Sequence, residues 1–506
     1  MRVRNKLISN AVYIFLNRVA LSVFSLLFWL ILGKTLLRRS YGMIAITIQV
    51  FTLLYPMTLM GLSLTIGKLI PDLLGRGRKD KIQGLILYSL KWVSISAGAL
   101  ALVLIIFSPQ LSSYLKLDDP RLIQISAVLI FLGALCTILE RFYFGFQNMK
   151  KIFLTDLFGQ IIKIVLTSSL ILFSLGYFAV DEKWIAQNGI WIPLIGFVLC
   201  YVVVLLTRMD KKFLQISKKV VVDKKLILKY SVPAFITKFF SLLFDQTQFI
   251  ILSVLRTVEE TGVFAVGMKI SIIIPIIPRV LSSALYPITS YLSSDKNKKR
   301  KQTYLIRVVF RYSLFLVLPI ATFLILFSKY AVLLFSSLEY LPAMHVLPLL
   351  IIGGAIYGLG DLFRTSLYAI GKPNIERNIE IISTLMYIAS AIPLTIYFSG
   401  IGLASSFLIA TTFSFLINLI WIRKFLDIKL PLKDLGKMIL SISISSIFLL
   451  LIIPHIDNLL VGIFFILLAY CIYLLALLRL NFYLEEDLKI LDFLASKLDN
   501  LSLIHI

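Results

Sequence analysis

Stretches of about twenty apolar residues recur along this chain so densely that little remains between them. A helix needs about 20 such residues to cross a hydrocarbon core about 30 Å thick. By that measure spans are predicted near residues 11–33, 42–66, 84–107, 122–145, 153–177, 189–207, 230–254, 262–290, 305–327, 343–370, 378–398, 401–422, 438–454 and 459–478. That makes about fourteen, with boundaries uncertain by about four residues. A soluble domain runs about 45–50% apolar and about 25% charged. This chain of 506 residues is 59% apolar and 15% charged, with a mean hydropathy of +0.94. Water could not cover that much apolar surface. The fold class expected is therefore an all-α integral membrane bundle. The first run, Ala11 to Leu32, is longer than the apolar core of a signal peptide and no small-residue cleavage site follows it, so it is expected to stay as the first span.

The net charge of +25 is placed by topology. Lys and Arg concentrate in alternate loops, among them Arg76–Lys81, the central linker Arg208–Lys229, Lys296–Lys301 and Arg423–Lys433. The opposite loops hold only Lys34, Arg38, Arg39, Lys116, Arg121, Lys183, Arg256 and Lys329. The positive-inside rule then puts both termini in the cytoplasm, with Arg38–Arg39 as the local violation. Attraction to anionic lipid headgroups adds to the same charge. The linker has no aromatic interleaving, so no nucleic-acid partner is expected. No metal site is expected either: Cys136, Cys200 and Cys471 lie in apolar stretches, and His345, His455 and His505 are scattered. Asp118–Asp119–Pro120 reads as a helix N-cap, and GRGRKDK (Gly75–Lys81) lacks the Gly-Lys-Ser/Thr ending of a phosphate loop. No loop could hold a soluble domain of about 50 residues.

The two halves resemble each other. LRRSYGMIAITIQVFTLLYPM runs into GRGRKDK, and RTVEETGVFAVGMKISIIIPIIPRV runs into SSDKNKKRK. In each, a glycine (Gly42, Gly262) opens a span, prolines (Pro56; Pro275, Pro278) interrupt it, and a basic loop closes it. RFYFGFQNMKK also lies over RTSLYAIGKPN with Arg141 on Arg364. Six spans per half is an even number, so the halves point the same way, as parallel transporter repeats do. The expected organisation is a six-helix lobe at 1–215, a second at 216–425, a central cavity between them, and an appended helix pair with a cytoplasmic tail at 426–506.

The stretch YSVPAFITKFFSLLFDQTQFIILSVLRTVEETGVFAVGMKISIIIPIIPRVLSSALYPITSYL resembles the oligosaccharide flippases of the polysaccharide-transporter group. Their superfamily also includes multidrug and toxin extrusion exporters and lipid II flippases. The matching features are Pro233, the polar pair Gln246 and Gln248, the turn Glu259–Glu260–Thr261–Gly262, and Pro275, Pro278 and Pro287. LEYLPAMHVLPLLIIGGAIYGLGDLFRTSLYAIGKPN is similar to the family's outer tyrosine-rich turn and tenth span. Many members carry Asp where Gln248 stands; here the acid is Asp245.

Ionisable groups inside spans cost about 2.5–3.5 kcal/mol each on insertion scales. The set is Arg18, Lys163, Lys238, Lys269, Arg279 and Arg364 against Asp245 and Asp361. That cationic excess is what a cavity for a lipid (pyro)phosphate headgroup needs, Arg offering a planar fork and Lys a mobile point charge. The bland alternatives are snorkelling from helix ends, and for Arg364 neutralisation by Asp361 at i−3. Asp245, Gln248 and Asp361 are the coupling candidates, for a proton or sodium ion. Pro275 and Pro278 are the hinge candidates.

The resemblance implies a non-enzymatic flippase of the cytoplasmic membrane. It would move a polyprenyl-(pyro)phosphate-linked glycan outward by alternating access, for surface polysaccharide assembly. It would act as a monomer beside glycan-assembly enzymes, without a cofactor, its lipid tail near spans thirteen and fourteen. A multidrug exporter of the same superfamily, usually of twelve spans and less cationic, is the first rival. A glycan polymerase or ligase is the second, and lacks the long outer loop such enzymes use; a scaffold without transport is the third.

Overall fold

The computed structural model describes residues 2–75, 77–174, 189–209, 224–293, 299–455 and 459–482. Among them the chain is helical with no strand, as a backbone in lipid must be when every N–H and C=O is to be satisfied within its own segment. The middle of the basic linker (210–223), Lys183, Lys296, Lys298 and the tail with His505 lie outside the described residues.

In the first half, α1 (Arg2–Thr35), α2 (Arg38–Thr58), α3 (Leu62–Gly75), α4 (Lys79–Ile106), the short α5 (Ser108–Tyr114), α6 (Arg121–Gly145), α7 (Met149–Ser174) and α8 (Trp191–Arg208) follow in order. In the second half come α9 (Lys224–Gln246), α10 (Gln248–Leu255), α11 (Val258–Ser271), α12 (Ile273–Ser293), α13 (Lys299–Leu326), the short α14 (Ser328–Phe335), α15 (Ala343–Ala369) and α16 (Pro373–Phe425). Helices α17 (Leu432–Ile452) and α18 (Leu459–Arg479) close the described chain. Twelve of these are long and apolar enough to cross a membrane, and α9 with α10, bent by 50°, make a thirteenth span. Helix α16 is one of the twelve. Its 53 residues would reach about 80 Å at 1.5 Å each, and Ser399 breaks it with φ 54° and ψ −135°. The described residues thus hold twelve candidate spans, thirteen with the bent pair, and the pair predicted at 378–398 and 401–422 lies on either side of the Ser399 break in α16.

Two predicted spans are corrected. Residues 262–290 are two helices, α11 and α12, broken at Ile272. Residues 42–66 are not one helix either: the chain turns at Met60 (φ 48°) and Gly61 (φ 73°) and restarts as α3. Hydropathy stays high through the turn and so hides it. A Cβ on Gly61 would strike the Ser231 carbonyl of α9, so the site needs glycine for space as well as for φ. The repeat, by contrast, holds in register. Helices α4 and α13 begin and end 220 residues apart, and so do the starts of the short helices α5 and α14.

The chain divides into two compact units. The first is Met1–Ile270 with Phe335–Leu350 and Arg377–Ala410; the second is Ser271–Leu334 with Ile351–Glu376 and Thr411–Ile506. The first passes into the second at the break between α11 and α12, next to the hinge candidates. Pro275 has no N–H for the Ser271 carbonyl one turn back, which is reason enough for the helix to break there. In the second unit Pro275 and Pro278 are buried against Gly358 of α15. The first unit's core packs α3, α4 and α6 through Ile66, Ile70, Val93, Ile138 and Phe142. In the second, Phe323, Phe327, Leu449 and Ala469 join α13, α17 and α18. There Arg311, which is buried, pairs with Asp434 at 2.9 Å and ties α13 to α17.

Candidate functional site

The first unit has two contrasting ends, named here outer and inner after the charge count. At the outer end the repeat glycines meet. A Cβ on Gly42 would run into the carbonyl of Val258, and one on Gly262 into the carbonyl of Arg38. Each glycine thus rests on the backbone one turn before the other, a reciprocal contact between α2 and α11. Other contacts at this end repeat the pattern. The Lys116 ammonium donates to the Arg256 carbonyl, and the Tyr340 hydroxyl donates to the Leu36 carbonyl at 2.7 Å. Residues 36 and 256 are again 220 apart.

Arg39, the exception to the positive-inside rule, is neutralised in this seam. Its Nε donates to Asp118 at 2.8 Å, and its guanidinium also pairs with Glu259. The Arg39 guanidinium holds the Asp118 carboxyl below its usual value. Arg256 pairs with Glu260 at 3.4 Å, and the Ser399 hydroxyl donates to the same glutamate. The expected Asp cap of α6 is corrected: Pro120 stands at the cap with no side-chain cap bond. Asp119 just before it accepts the Arg121 backbone N–H at 2.8 Å, and Asp118 serves the seam. A small cavity of about 270 Å³ beside the seam is lined by Arg38, Glu259, Glu260, His345 and the Ser399 break, among others.

The inner half of the same unit holds a larger cavity, about 430 Å³, between α2, α6 and α9. Thr52, Tyr55, Thr137, Arg141, Lys238 and Gln246 supply its polar wall, and among the described residues none that lines it is a carboxylate. Helix α2 opens the space by ending at the Met60–Gly61 turn, and α9 by bending at Thr247. The Gln246 carbonyl accepts from Gln49 at 3.0 Å and Thr52 at 2.9 Å, which fixes that amide at the cavity's upper edge.

The Arg141 guanidinium belongs to a charged chain behind the wall. Arg208, only 2% exposed, donates to Asp156 at 2.6 Å, to Thr155 at 3.1 Å and to the Cys136 carbonyl at 3.1 Å. Its Nη1 also lies 3.6 Å from Glu140, whose other oxygen lies 3.8 Å from Arg141. Asn17 of α1 donates to Asp156 at 3.0 Å. Arg208 therefore departs from its reading as a loop cation. It is the buried hub of α6, α7 and α8, and only a complete set of acceptors makes such burial tolerable.

The structure disperses the sequence-predicted candidates. Lys238 lines the inner cavity. Lys163 is buried between Phe28 (5.0 Å) and Phe197 (4.8 Å), and Lys269 packs on Trp29 (4.4 Å) and Phe249 (5.6 Å). Both ammonium groups are thus held by ring faces on either side of the α1 pair Phe28–Trp29. Arg18 is exposed on α1. Asp245 is half-buried and Gln248 buried with Oε1 unmatched, and neither lines the cavity. In the second unit, Arg279 (4.7 Å) and Arg364 (5.1 Å) both stack on Tyr357. Arg364 also donates to Asp361 at 2.6 Å and lies 3.9 Å from Glu376. Sequence reasoning missed Arg141 as a site residue, although the repeat had already aligned it with Arg364.

A family of polysaccharide biosynthesis proteins matches residues 31–345, and the chain belongs to it. An uncharacterized membrane protein of Methanocaldococcus jannaschii, MJ1068, is 24% identical over 83% of both chains. The lipid II flippase MurJ in an inward closed conformation shares the fold with a TM-score of 0.70 at 19% identity, over 93% of this chain and 98% of that one. An inward-facing multidrug resistance transporter of the MATE family, in the MOP superfamily, matches at 0.63 and 16% identity, over 80% and 94%. The protein is thus a multi-pass member of a polysaccharide biosynthesis family, with the fold seen in MurJ and in the MATE-family transporter.

Proposed function

We propose that this protein flips a polyprenyl-(pyro)phosphate-linked glycan across the cytoplasmic membrane by alternating access. The observation that carries the reading is the inner cavity: two cations, Arg141 and Lys238, several neutral hydrogen-bonding groups, and no carboxylate among its described lining residues. A (pyro)phosphate leaving water needs charge-assisted donors, and the hydroxyls and amide suit a glycan. A cationic drug would meet like charge there. Membership of a polysaccharide biosynthesis family supports the same substrate class.

A tail site is available in the second unit. An apolar groove of about 360 Å³ runs between α13, α14 and α18, lined by Phe323, Phe327, Leu334, Ile463 and Leu467 among others. A polyprenyl chain would lie there without stranding a polar group. Asp245 is the coupling carboxylate on this reading, for a proton or sodium ion, in a protein that acts as a monomer.

Proteoliposomes loaded with a fluorescent short-chain polyprenyl-pyrophosphate glycan test it. Purified protein should expose the glycan on the far side, and Arg141→Gln with Lys238→Gln should slow that at least about tenfold, the loss of about 1.4 kcal/mol of differential binding. Transport of cationic dyes with no movement of the glycan would overturn the reading in favour of an exporter.

A further inference from the structure

Glu140 sits between two guanidinium groups, 3.6 Å from Arg208 and 3.8 Å from Arg141. Both separations exceed the 2.7–2.9 Å of a direct charged hydrogen bond, so the carboxylate is shared and held firmly by neither. The next link, Arg208 to Asp156, is short at 2.6 Å, and Asp156 then accepts from Asn17 at 3.0 Å. Four side chains of alternating charge thus connect the wall of the inner cavity to helix α1. Arg208 at the hub is buried, Asp156 is nearly so, and Glu140 and Arg141 are about one-third exposed.

Such a chain transmits with alternating sign. An anion that engages Arg141 competes with Glu140, which then closes on Arg208. Arg208 divides its donors more evenly and compensates Asp156 less. A less compensated carboxylate in a low-dielectric site pulls harder on its remaining donor, the Asn17 amide. That amide belongs to α1, which packs along α7, with Tyr13 and Phe153 rings 6.0 Å apart.

We propose that Glu140 is a positioning residue that couples anion occupancy of the inner cavity to the seating of α1 on α7 through Arg208, Asp156 and Asn17. The proposal rests on the reading that this cavity takes a (pyro)phosphate. Where that reading concerns what is bound, the relay concerns how a span senses it.

Spin labels at Val19→Cys on α1 and Leu154→Cys on α7 report the seating, since both positions are exposed. Cys471→Ser removes the exposed native thiol, and Cys136 and Cys200 are buried. Inorganic pyrophosphate is the probe, with its binding measured separately by calorimetry on the same detergent-purified protein. In the labelled protein, pyrophosphate should narrow and shorten the interspin distance distribution. Glu140→Gln removes Arg141's competitor, so pyrophosphate should bind as tightly or up to about fivefold more tightly, in keeping with a partly exposed ion pair. The narrowing should vanish. Asn17→Ala, at the far end of the chain, should also lose the narrowing and keep the affinity.

Pyrophosphate that binds without moving the labels, or that narrows the distribution equally in Glu140→Gln and Asn17→Ala, overturns the relay and leaves the cavity reading standing. No pyrophosphate binding to the unsubstituted protein overturns the cavity reading, and the relay falls with it.

Discussion

The outer seam and the inner cavity of the first unit both use α2, yet the seam's arginines face carboxylates within it. The described lining of the cavity carries cations only, with Glu140 paired to Arg141 behind the wall. At the seam the backbone contacts come in repeat-related pairs: Gly42 with Gly262, and Lys116 on the Arg256 carbonyl with Tyr340 on the Leu36 carbonyl. Arg39 there is matched by Asp118 and Glu259. In the cavity, α2 and α9 have both departed from straight helix, and the charges left on the wall are of one sign. Pseudo-symmetric packing closes a surface, whereas broken symmetry leaves room and charge for a ligand.

The largest break in that contrast should come from the glycines. Gly42→Leu or Gly262→Leu drives a side chain into a backbone carbonyl that cannot give way, a cost above the about 1–3 kcal/mol of ordinary overpacking. Hydrogen exchange should rise at the start of α2 and α11, with the protein still eluting as a folded species and with glycan flipping lost. Arg208→Leu comes next. It leaves the nearly buried Asp156 and the partly exposed Glu140 without their shared cation and should destabilise by about 3–5 kcal/mol, seen as a lowered unfolding temperature. Replacing the hub together with its carboxylates, as Arg208→Met with Asp156→Leu and Glu140→Leu, should recover much of that loss.

Arg39→Gln should have a smaller effect, under about 1 kcal/mol, because the pair with Asp118 is half exposed. It should loosen the seam without touching pyrophosphate affinity, which separates the two ends experimentally. The least effect is that of pH at the seam. Since Arg39 keeps the Asp118 carboxyl below its ordinary value near 4, the pair is intact at neutral pH and is lost only as pH falls through that depressed value. Exchange at the seam should therefore be flat from neutral pH down to about 5 and increase only in stronger acid.

Much of this was readable in the chain. Apolar length set the spans, and the repeat set Gly42 against Gly262 before their contact was seen. What the sequence could not supply was partnership. Arg208 ends an apolar run, where a snorkelling cation is the ordinary reading, and its acids lie 52 and 68 residues away on other helices. The Met60–Gly61 turn is invisible to hydropathy because apolar residues continue on both sides. Lys163 and Lys269 were legible as unusual cations, but their aromatic seats come from three different helices, α1, α8 and α10. Arg141 was legible twice, as an ionisable residue at a span end and as the repeat partner of Arg364, and the two signals only make a site residue when Lys238 is found across the same cavity.

The most direct test places the charge of the inner cavity against its ligand. Pyrophosphate affinity and glycan flipping should be measured side by side in Arg141→Glu, Lys238→Glu and the double variant, with Arg39→Gln as the outer-seam control. The account predicts that each reversal weakens pyrophosphate binding at least about tenfold, that the double variant abolishes flipping, and that Arg39→Gln binds normally. Unchanged affinity and flipping in the double variant, with the protein folded, would contradict it.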